Sequence, residues 1–239
     1  MIPRGLIFDV DGTLADTERD GHRPAFNAAF REAGLDWHWD EALYGELLAV
    51  TGGKERILHF AGRYRPDFVR LPDLAGRVAA LHEAKTRHYA RLAATGAIAL
   101  RPGVARLLAQ ARTGGLRLAI ATTTRPENVA ALLTPALGPW VLDWFEVIGA
   151  SDAVAAKKPA PDIYLWVLER LGLPASDCLA FEDSAHGLRA ALGAGLTTVI
   201  TPCDYTRGQD FSGAVAVLDS LEGITPSSLQ EWLSGAARH

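Results

Sequence analysis

The 239-residue sequence has few cysteines, no long apolar run and no excess of positive charge. Its two cysteines, Cys178 and Cys203, form no Cys-x-x-Cys pair, so we expect neither a disulfide framework nor a zinc site. No apolar stretch approaches the roughly 18 residues of a membrane-spanning helix, and the N-terminus enters a predicted strand without room for a signal peptide. The net charge of −4 gives no general attraction to nucleic acid or to anionic membranes. We therefore expect a cytoplasmic protein that binds neither, and whose anionic ligands are held by a few local cations.

Short apolar, β-branched runs predict the strands of a buried sheet. They are Gly5–Val10, Arg117–Ala121, Phe145–Gly149, Cys178–Phe181 and Thr197–Ile200, with a weaker sixth at Ala214–Leu218. From the second run onward, these segments alternate with amphipathic helical patterns, which is the order of βαβ units in a parallel sheet. The sequence therefore predicts an α/β fold with a doubly wound, Rossmann-like parallel sheet as its core.

The long interval between the first and second strands does not fit a simple crossover. It exceeds 100 residues, whereas a crossover with its helix needs only about 10–12. Residues 17–98 show only helical patterns, and Arg101-Pro102-Gly103 marks the return to the sheet. We predict a catalytic core of residues 1–16 and 99–239 with an inserted α-helical cap of residues 17–98. The cleft between them is the expected ligand site, and we expect a monomer.

The first strand ends in Asp9-Val10-Asp11-Gly12-Thr13. Alternate residues of a strand point to the same side, so two carboxylates begin on one face of the strand end. Like charges this close are mutually destabilising unless they share a proton or a cation. A divalent metal solves the problem, and oxygen ligands suit Mg²⁺. The alternative is a plain Asp-Gly turn, but a strand followed by Asp-x-Asp-Gly-Thr is a much narrower pattern.

A hydroxyl-rich segment follows the second strand. Thr122, Thr123 and Thr124 lie before a predicted helix, where backbone N–H groups and hydroxyls can bind a phosphate. The same segment also fits a simple helix start, in which Thr124 and Glu127 form a capping box.

Charged residues occur at two further positions near the predicted strand ends. Lys158 stands beside a proline at the start of a helix, where it is either a point charge for an anion or a solvated surface lysine. Glu182 and Asp183 end the fourth strand, as metal ligands or as acids favoured by a helix N-terminus. Open α/β sheets bind ligands beyond the carboxyl ends of their strands. Together these residues supply a metal site, an anion clamp and a nucleophile, which indicates phosphoryl transfer.

At these residues the chain resembles the haloacid-dehalogenase-like hydrolase superfamily. The matching motifs, in the order of that superfamily, are Asp9-Val10-Asp11-Gly12-Thr13, Thr122, Lys158 and Glu182-Asp183. The resemblance covers nearly the whole chain, including a helical cap after the first strand. The presence of Asp11 argues against the dehalogenases themselves, which need neither a metal nor that second acid.

The resemblance implies a role for each acidic residue. Mg²⁺ would be held by Asp9, the main-chain carbonyl of Asp11 and Asp183, with Glu182 nearby. Asp9 would attack phosphorus to form an aspartyl-phosphate, which divides one difficult step into two easier ones. Asp11 would protonate the leaving group and then activate water. Thr122 and Lys158 would offset the charge of the phosphate.

The cap is similar to that of the CbbY-type branch, whose members hydrolyse xylulose-1,5-bisphosphate. β-Phosphoglucomutase is a near relative with the same core, but it usually has three residue steps between an acidic cap residue and a histidine. Here the step from Glu18 to His22 is four, which favours the phosphatase and leaves the function of His22 open. A phosphosugar mutase remains the alternative, because it forms the same aspartyl-phosphate.

Several cap residues are candidates for substrate binding, the substrate being a small phosphorylated sugar. A Gly-Gly pair precedes a predicted helix that starts with two cations, an arrangement suited to a second phosphate. The aromatic residues Trp37, Trp39 and Tyr44 either line the sugar or form the core of the cap, and Tyr44 is the best candidate for a ligand contact. The predicted substrate-binding residues of the cap are Glu18, Tyr44, Gly52, Gly53, Lys54 and Arg56.

A phospho-accepting receiver module is a different class of protein that also uses acids, a threonine and a lysine on a doubly wound sheet. Such modules carry the acceptor aspartate and the acidic pair on different strands, and they have no cap. In this chain, Asp9 and Asp11 share one motif. The sequence therefore favours a Mg²⁺-dependent sugar-bisphosphate phosphatase.

Overall fold

The computed structural model describes residues 2–50 and 52–235, and the chain divides into two compact units. The chain leaves the first unit between Asp16 and Thr17 and returns to it between Ile98 and Ala99. Within the described ranges, no helix is both long and apolar enough to cross a bilayer.

The inserted unit, residues 17–98, has helices and connecting loops and no strand in its described residues. A π-helical turn at Glu18–His22 leads directly into the first helix. The helices are α1 (Arg23–Glu32), α2 (Glu41–Leu47), α3 (Gly53–Tyr64), α4 (Pro66–Val69) and α5 (Leu74–Ala94). Acidic caps begin two of them: the side chain of Asp40 accepts from Leu43 N–H, and that of Asp73 accepts from Gly76 N–H. The long helix α5 packs along α1 and also contacts α3.

Aromatic side chains form the core of the helical unit. Trp39 is fully buried, and its ring centroid lies 4.7 Å from that of Phe26 and 4.8 Å from that of Phe30. The side-chain amide of Asn27 donates to the carbonyl and accepts from the N–H of Trp39, each at 2.8 Å. These bonds satisfy a backbone segment that would otherwise be buried without partners. Trp37 is also buried in this core, so both tryptophans pack inside the unit.

The other unit is built on a six-stranded parallel sheet. Its strands are β1 (Gly5–Phe8), β2 (Arg117–Ala121), β3 (Phe145–Gly149), β4 (Cys178–Glu182), β5 (Thr197–Ile200) and β6 (Ala216–Val217). They lie in the order β3-β2-β1-β4-β5-β6, which is the doubly wound order and confirms the predicted fold class. The chain order reverses at β1 and β4, so the carboxyl ends of these neighbours form the switch point where such sheets bind ligands.

Four helices connect successive strands of the sheet from β1 to β5, and a fifth follows β6. They are α6 (Val104–Thr113), α7 (Pro126–Leu137), α8 (Asp162–Leu171), α9 (Ala185–Gly193) and α10 (Pro226–Gly235). One hydrophobic cluster joins buried residues of α8 and α9 to alternate residues of the strands, such as Ile7, Ala119 and Ala180. The intervening residues of the strands are also buried, and Phe8 stacks on its register partner Phe181 at 4.7 Å. Because both faces are covered, β1, β2 and β4 are almost continuously apolar.

The predicted sixth strand, 214–218, is shorter in the structure, and two further local predictions are wrong. The first strand ends at Phe8, because the carbonyl of Val10 accepts from the N–H of Leu14 and turns the chain. Thr124 does not cap α7: Pro126 occupies the first helical position, so the N-cap is Arg125 and its side chain makes no capping bond. The hydroxyl of Thr124 accepts instead from the side-chain amide of Asn128.

Two glycines allow a matched test of how the returning chain packs against the segment after β6. A Cβ atom at Gly103 would lie 2.2 Å from the backbone carbon of Leu221, and its φ is +86°. Gly115 has a similar φ of +74° but nothing within 4 Å of its ideal Cβ position. We expect Gly115→Ala to cost about 1–2 kcal/mol of unfolding free energy and Gly103→Ala to cost more than about 3 kcal/mol. Urea unfolding would measure both, and equal costs would show that the backbone contact at Leu221 does not matter.

Candidate active site

Asp9 follows β1 and is held at the centre of the sheet edge. Its backbone N–H donates to the carbonyl of Phe181 at 3.0 Å, which continues the β1–β4 pairing by one residue. Its side chain is buried, with Oδ1 accepting from Lys158 Nζ at 2.7 Å and Oδ2 accepting from the hydroxyl of Thr13 at 3.3 Å. Both carboxylate oxygens therefore have a fixed direction.

The ammonium group of Lys158 joins three strand ends. It donates to Asp9 Oδ1, to the carbonyl of Ala121 at 2.9 Å and to Glu182 Oε1 at 2.6 Å. Each of the three N–H groups of the ammonium therefore has a hydrogen-bond acceptor. Burial by itself lowers the pKa of this lysine, but the charges of Asp9 and Glu182 outweigh burial and hold the pKa above its ordinary value. Lys158 is therefore a buried, permanently charged clamp and not a solvated surface lysine.

Glu182 ends β4 and Asp183 directly follows it, and both are buried. Burial raises the pKa of Glu182 to about 7; the charge of Asp9 adds to the increase, and Lys158 opposes it. Burial also raises the pKa of Asp183 well above its ordinary value, with further contributions from Asp9 and Glu182. The fold thus places the carboxyl groups of Asp9, Glu182 and Asp183 close to one another and to a single ammonium group, that of Lys158.

These three carboxyl groups fit a divalent cation. Asp9, Glu182 and Asp183 each offer an oxygen, and these oxygens all lie within 4.8 Å of one another. Their excess negative charge is buried, so it is destabilising unless a proton or a metal ion neutralises it. Oxygen ligands of this kind suit Mg²⁺. Gly12 has room only for a hydrogen here, because a Cβ would lie 2.2 Å from Asp183 Oδ2. The side chain of Asp11 is not part of this group in the described residues, so its predicted contribution is limited to its main-chain carbonyl.

The threonine segment lies beside the lysine clamp. Thr122 directly follows Ala121, whose carbonyl accepts from Lys158, and its own N–H donates to Gly149 O at 2.9 Å. Its hydroxyl is buried and accepts from the N–H of Thr124 at 3.2 Å. Thr123 is exposed. Asp9, Thr122, Lys158, Glu182 and Asp183, all predicted from the sequence, therefore meet at one edge of the sheet.

The helical unit contains a second polar cluster. Tyr44 is fully buried; its hydroxyl donates to Glu18 Oε2 at 2.5 Å and accepts from Arg56 Nη1 at 2.9 Å. The guanidinium carbon of Arg56 also lies 5.2 Å from the centroid of the Tyr44 ring. Gly52, with a φ of +95°, precedes α3, and Gly53 and Lys54 begin that helix with Lys54 exposed. The structure thus joins Glu18, Tyr44 and Arg56, and it leaves Lys54 exposed in the first turn of α3.

Arg101 supports the site, but its sequence pattern does not indicate this role. The segment Arg101-Pro102-Gly103 indicates only the end of a helical region. The buried guanidinium of Arg101 donates to the carbonyls of Gly12, Thr201 and Pro202, and it lies 3.5 Å from Asp16 Oδ1. It therefore fixes the glycine of the Asp9–Thr13 motif to the loop after β5. No sequence pattern links an arginine to carbonyls that lie about a hundred positions away.

A second missed contact lies in the helical unit. Lys85 Nζ lies 2.9 Å from Nδ1 of His22, and the ring of His22 stacks on Tyr89 at 4.1 Å. Burial first, and then the charges of Lys85 and Arg56, lower the pKa of His22 well below its ordinary value. A neutral imidazole that accepts from a lysine is the consistent state of this pair.

Comparison with known proteins agrees with this geometry. A family model described as haloacid dehalogenase-like hydrolase matches residues 3–195. The chain is 52% identical over 237 residues to the plasmid protein CbbY of Cupriavidus necator, covering 98% of this chain and 91% of that protein. A crystal structure of CbbY from Rhodobacter sphaeroides in complex with phosphate has a TM-score of 0.79 at 47% identity, covering 95% of this chain and 99% of that one. An Asp-to-Asn mutant of the same protein, in complex with xylulose-1,5-bisphosphate, has a TM-score of 0.77 at 47% identity, covering 92% and 96%. These matches confirm the resemblance predicted from the motifs.

The acidic cluster gives a direct test of metal binding that does not depend on activity. We expect Mg²⁺ to raise the melting temperature of the wild type, because an ion at a hundred times its Kd stabilises the folded state by about 2.7 kcal/mol. Asp183→Asn should remove most of this Mg²⁺-dependent shift. Asp219→Asn is the control, since this exposed acid pairs only with Arg207 in the described contacts. An unchanged shift in Asp183→Asn would contradict the assignment of Asp183 as a metal ligand.

Proposed function

Because the chain belongs to the haloacid dehalogenase-like hydrolases, we propose that this CbbY-type phosphatase hydrolyses a sugar bisphosphate with the help of Mg²⁺. The proposed substrate is xylulose-1,5-bisphosphate, the ligand bound in the related structure. The observation that carries the proposal is the Asp9 carboxylate, held between Lys158 and Thr13 at the carboxyl end of β1. A carboxylate with both oxygens directed in this way is suited to attack phosphorus without reorganising first.

In the proposed reaction, an oxygen of Asp9 forms a bond to phosphorus as the bond from phosphorus to the sugar oxygen breaks. Asp11 gives its proton to that sugar oxygen, so the sugar leaves as an alcohol. Asp11 then accepts a proton from water as the water oxygen attacks phosphorus, and the bond between phosphorus and Asp9 breaks. Inorganic phosphate leaves, and both aspartates return to their starting states.

The surrounding residues stabilise charge during these steps. Lys158 and the hydroxyl of Thr122 face the increasing negative charge of the phosphoryl oxygens. The metal ion, when bound, would supply further positive charge there. Asp9, the main-chain carbonyl of Asp11 and Asp183 would hold it, with Glu182 nearby.

The helical unit supplies the proposed site for the second phosphate. The α3 helix begins at Gly53 with its backbone N–H groups at the positive end of the helix dipole, and Lys54 adds an exposed charge there. Arg56 is buried against Tyr44 and Glu18, so we assign it to shaping this site and to orienting Glu18 for a sugar hydroxyl. In this proposal the reacting phosphate is held by Lys158 and Thr122, and the second phosphate is held by Lys54 and the N–H groups at the start of α3.

A phosphate-release assay tests this function and separates it from that of a mutase. The wild type should release phosphate from xylulose-1,5-bisphosphate with Mg²⁺ and lose this activity with EDTA. A phosphosugar mutase would instead transfer the phosphoryl group to a second sugar hydroxyl, giving an isomeric sugar phosphate and little free phosphate. Failure to release phosphate from any sugar bisphosphate would contradict the proposal.

Asp9→Asn tests the nucleophile. The amide cannot attack phosphorus, so turnover should fall by several orders of magnitude, while circular dichroism and the melting transition show an intact fold. Asp177→Asn is a control, because this acid forms a surface ion pair with Arg4 outside the site. Activity of Asp9→Asn within about tenfold of the wild type would remove Asp9 from its proposed role.

Lys54→Ala tests the second phosphate site. A charge-assisted contact contributes about 1.5–3 kcal/mol, so kcat/KM for the bisphosphate should fall by roughly 10- to 100-fold. Hydrolysis of p-nitrophenyl phosphate should barely change, since that substrate has no second phosphate. Arg63→Ala removes an exposed cation from the last turn of the same helix and should leave both activities unchanged. Equal losses on both substrates would indicate damage to the helical unit and not a lost phosphate contact.

A further inference from the structure

Tyr164 places a hydroxyl group inside an apolar cluster. It lies in α8 and is fully buried, with Ile163, Val167 and Leu168 of the same helix in the cluster between α8, α9 and the sheet. A phenylalanine would fill the same volume without a polar atom, and an unpaired hydroxyl in such a place is costly. The hydroxyl is paired: it donates to Glu182 Oε1 at 2.6 Å. Packing alone therefore does not account for this tyrosine.

The bond from Tyr164 completes the restraint of the Glu182 carboxylate. Oε1 accepts from both Tyr164 and Lys158, and Oε2 accepts from the N–H of Asp183 at 3.2 Å. The carboxylate also lies against Gly187 of α9, where even a Cβ atom would be 1.9 Å from Oε2. Glu182 is thus held on every side by groups that define one orientation.

The ring of Tyr164 contacts the other member of the same ion pair. Lys158 Nζ lies 5.1 Å from the centroid of the ring, within the range of a cation–π interaction. One side chain therefore touches the acid through its hydroxyl and the ammonium through its ring. Because Lys158 uses its three donors on Asp9, Ala121 and Glu182, a shift of Glu182 would leave one donor unpaired and loosen the contact with Asp9.

We propose that Tyr164 is a positioning residue, which holds Glu182 and Lys158 so that Asp9 is aimed at the reacting phosphoryl group. This inference rests on the proposed phosphatase function. Tyr164 is not a catalytic residue, because its polar contacts within the described residues are with Glu182 and Lys158 and not with Asp9. Its effect is to keep the clamp in one geometry, and small misplacements of reacting groups cost large factors in rate.

Tyr164→Phe is the direct test, because it removes only the hydroxyl and keeps the ring. We expect kcat for phosphate release to fall by about 10- to 100-fold with KM nearly unchanged. The Mg²⁺ concentration that gives half of the maximal thermal shift should rise, since Glu182 is no longer fixed beside Asp183. Tyr164→Leu, which also removes the ring, should lose more of kcat than Tyr164→Phe.

Leu168→Ala is the matched control. It lies four residues further along α8, is buried in the same cluster and makes no polar side-chain contact. It should lower the melting temperature but leave kcat and the Mg²⁺ titration close to those of the wild type. Equal losses of kcat in Tyr164→Phe and Leu168→Ala would overturn the proposal by showing a purely structural effect, and so would an unchanged kcat in Tyr164→Phe.

Failure of the phosphatase proposal would be recognised separately, because the wild type itself would then release no phosphate. In that case the thermal titration with Mg²⁺ tests whether Tyr164 positions Glu182. A shift in the half-saturating Mg²⁺ concentration in Tyr164→Phe, absent from Leu168→Ala, would support the positioning of Glu182. Identical titrations in the wild type and Tyr164→Phe would overturn it.

Discussion

The site depends on one buried ammonium group. Lys158 Nζ bonds to the carboxylates of Asp9 and Glu182 and to the carbonyl of Ala121, so it joins the ends of β1, β4 and β2. Charges removed from water are costly unless they are paired with good geometry. Without this lysine, the buried carboxylates of Asp9 and Glu182 would lie close together with no positive charge between them, which would favour protonation of one of them. The positions of both carboxylates therefore depend on this ammonium group.

The topology explains why the acids meet where they do. The chain runs outward from β1 in one direction and from β4 in the other, so the ends of these two neighbouring strands are not covered by a connecting segment of the sheet. Asp9 and Glu182 stand at this point because the apolar runs before them end in register, with Phe8 opposite Phe181. The hydrogen bond from the Asp9 N–H to the Phe181 carbonyl extends the same register to the first residue of the site.

The sequence predicted the sheet well because β1, β2 and β4 are buried on both faces, so that each of these strands appears as a nearly continuous apolar run. The sequence also predicted that Asp9, Lys158, Glu182 and Asp183 meet at one edge, because parallel strands place their carboxyl ends together. What it missed depends on contacts between distant parts of the chain: Arg101 with Thr201, and Tyr164 with Glu182. In the sequence, Arg101 belongs to a helix-breaking segment and Tyr164 to the buried face of a helix, both of which are ordinary local patterns. The polar atoms of these residues find their partners only when the sheet brings distant segments together.

The same crowding that serves the proposed chemistry works against the stability of the fold. Burial raises the pKa of Glu182 to about 7 and that of Asp183 above its ordinary value, so in the unbound protein folding disfavours their charged forms. Their contribution to stability is therefore largest at low pH, where they are protonated, and it decreases as pH rises through the raised values. A divalent cation reverses this penalty, because it makes the charged form of each acid the favoured one. Protein stability, carboxyl protonation and metal binding are thus coupled through the oxygens of Asp9, Glu182 and Asp183.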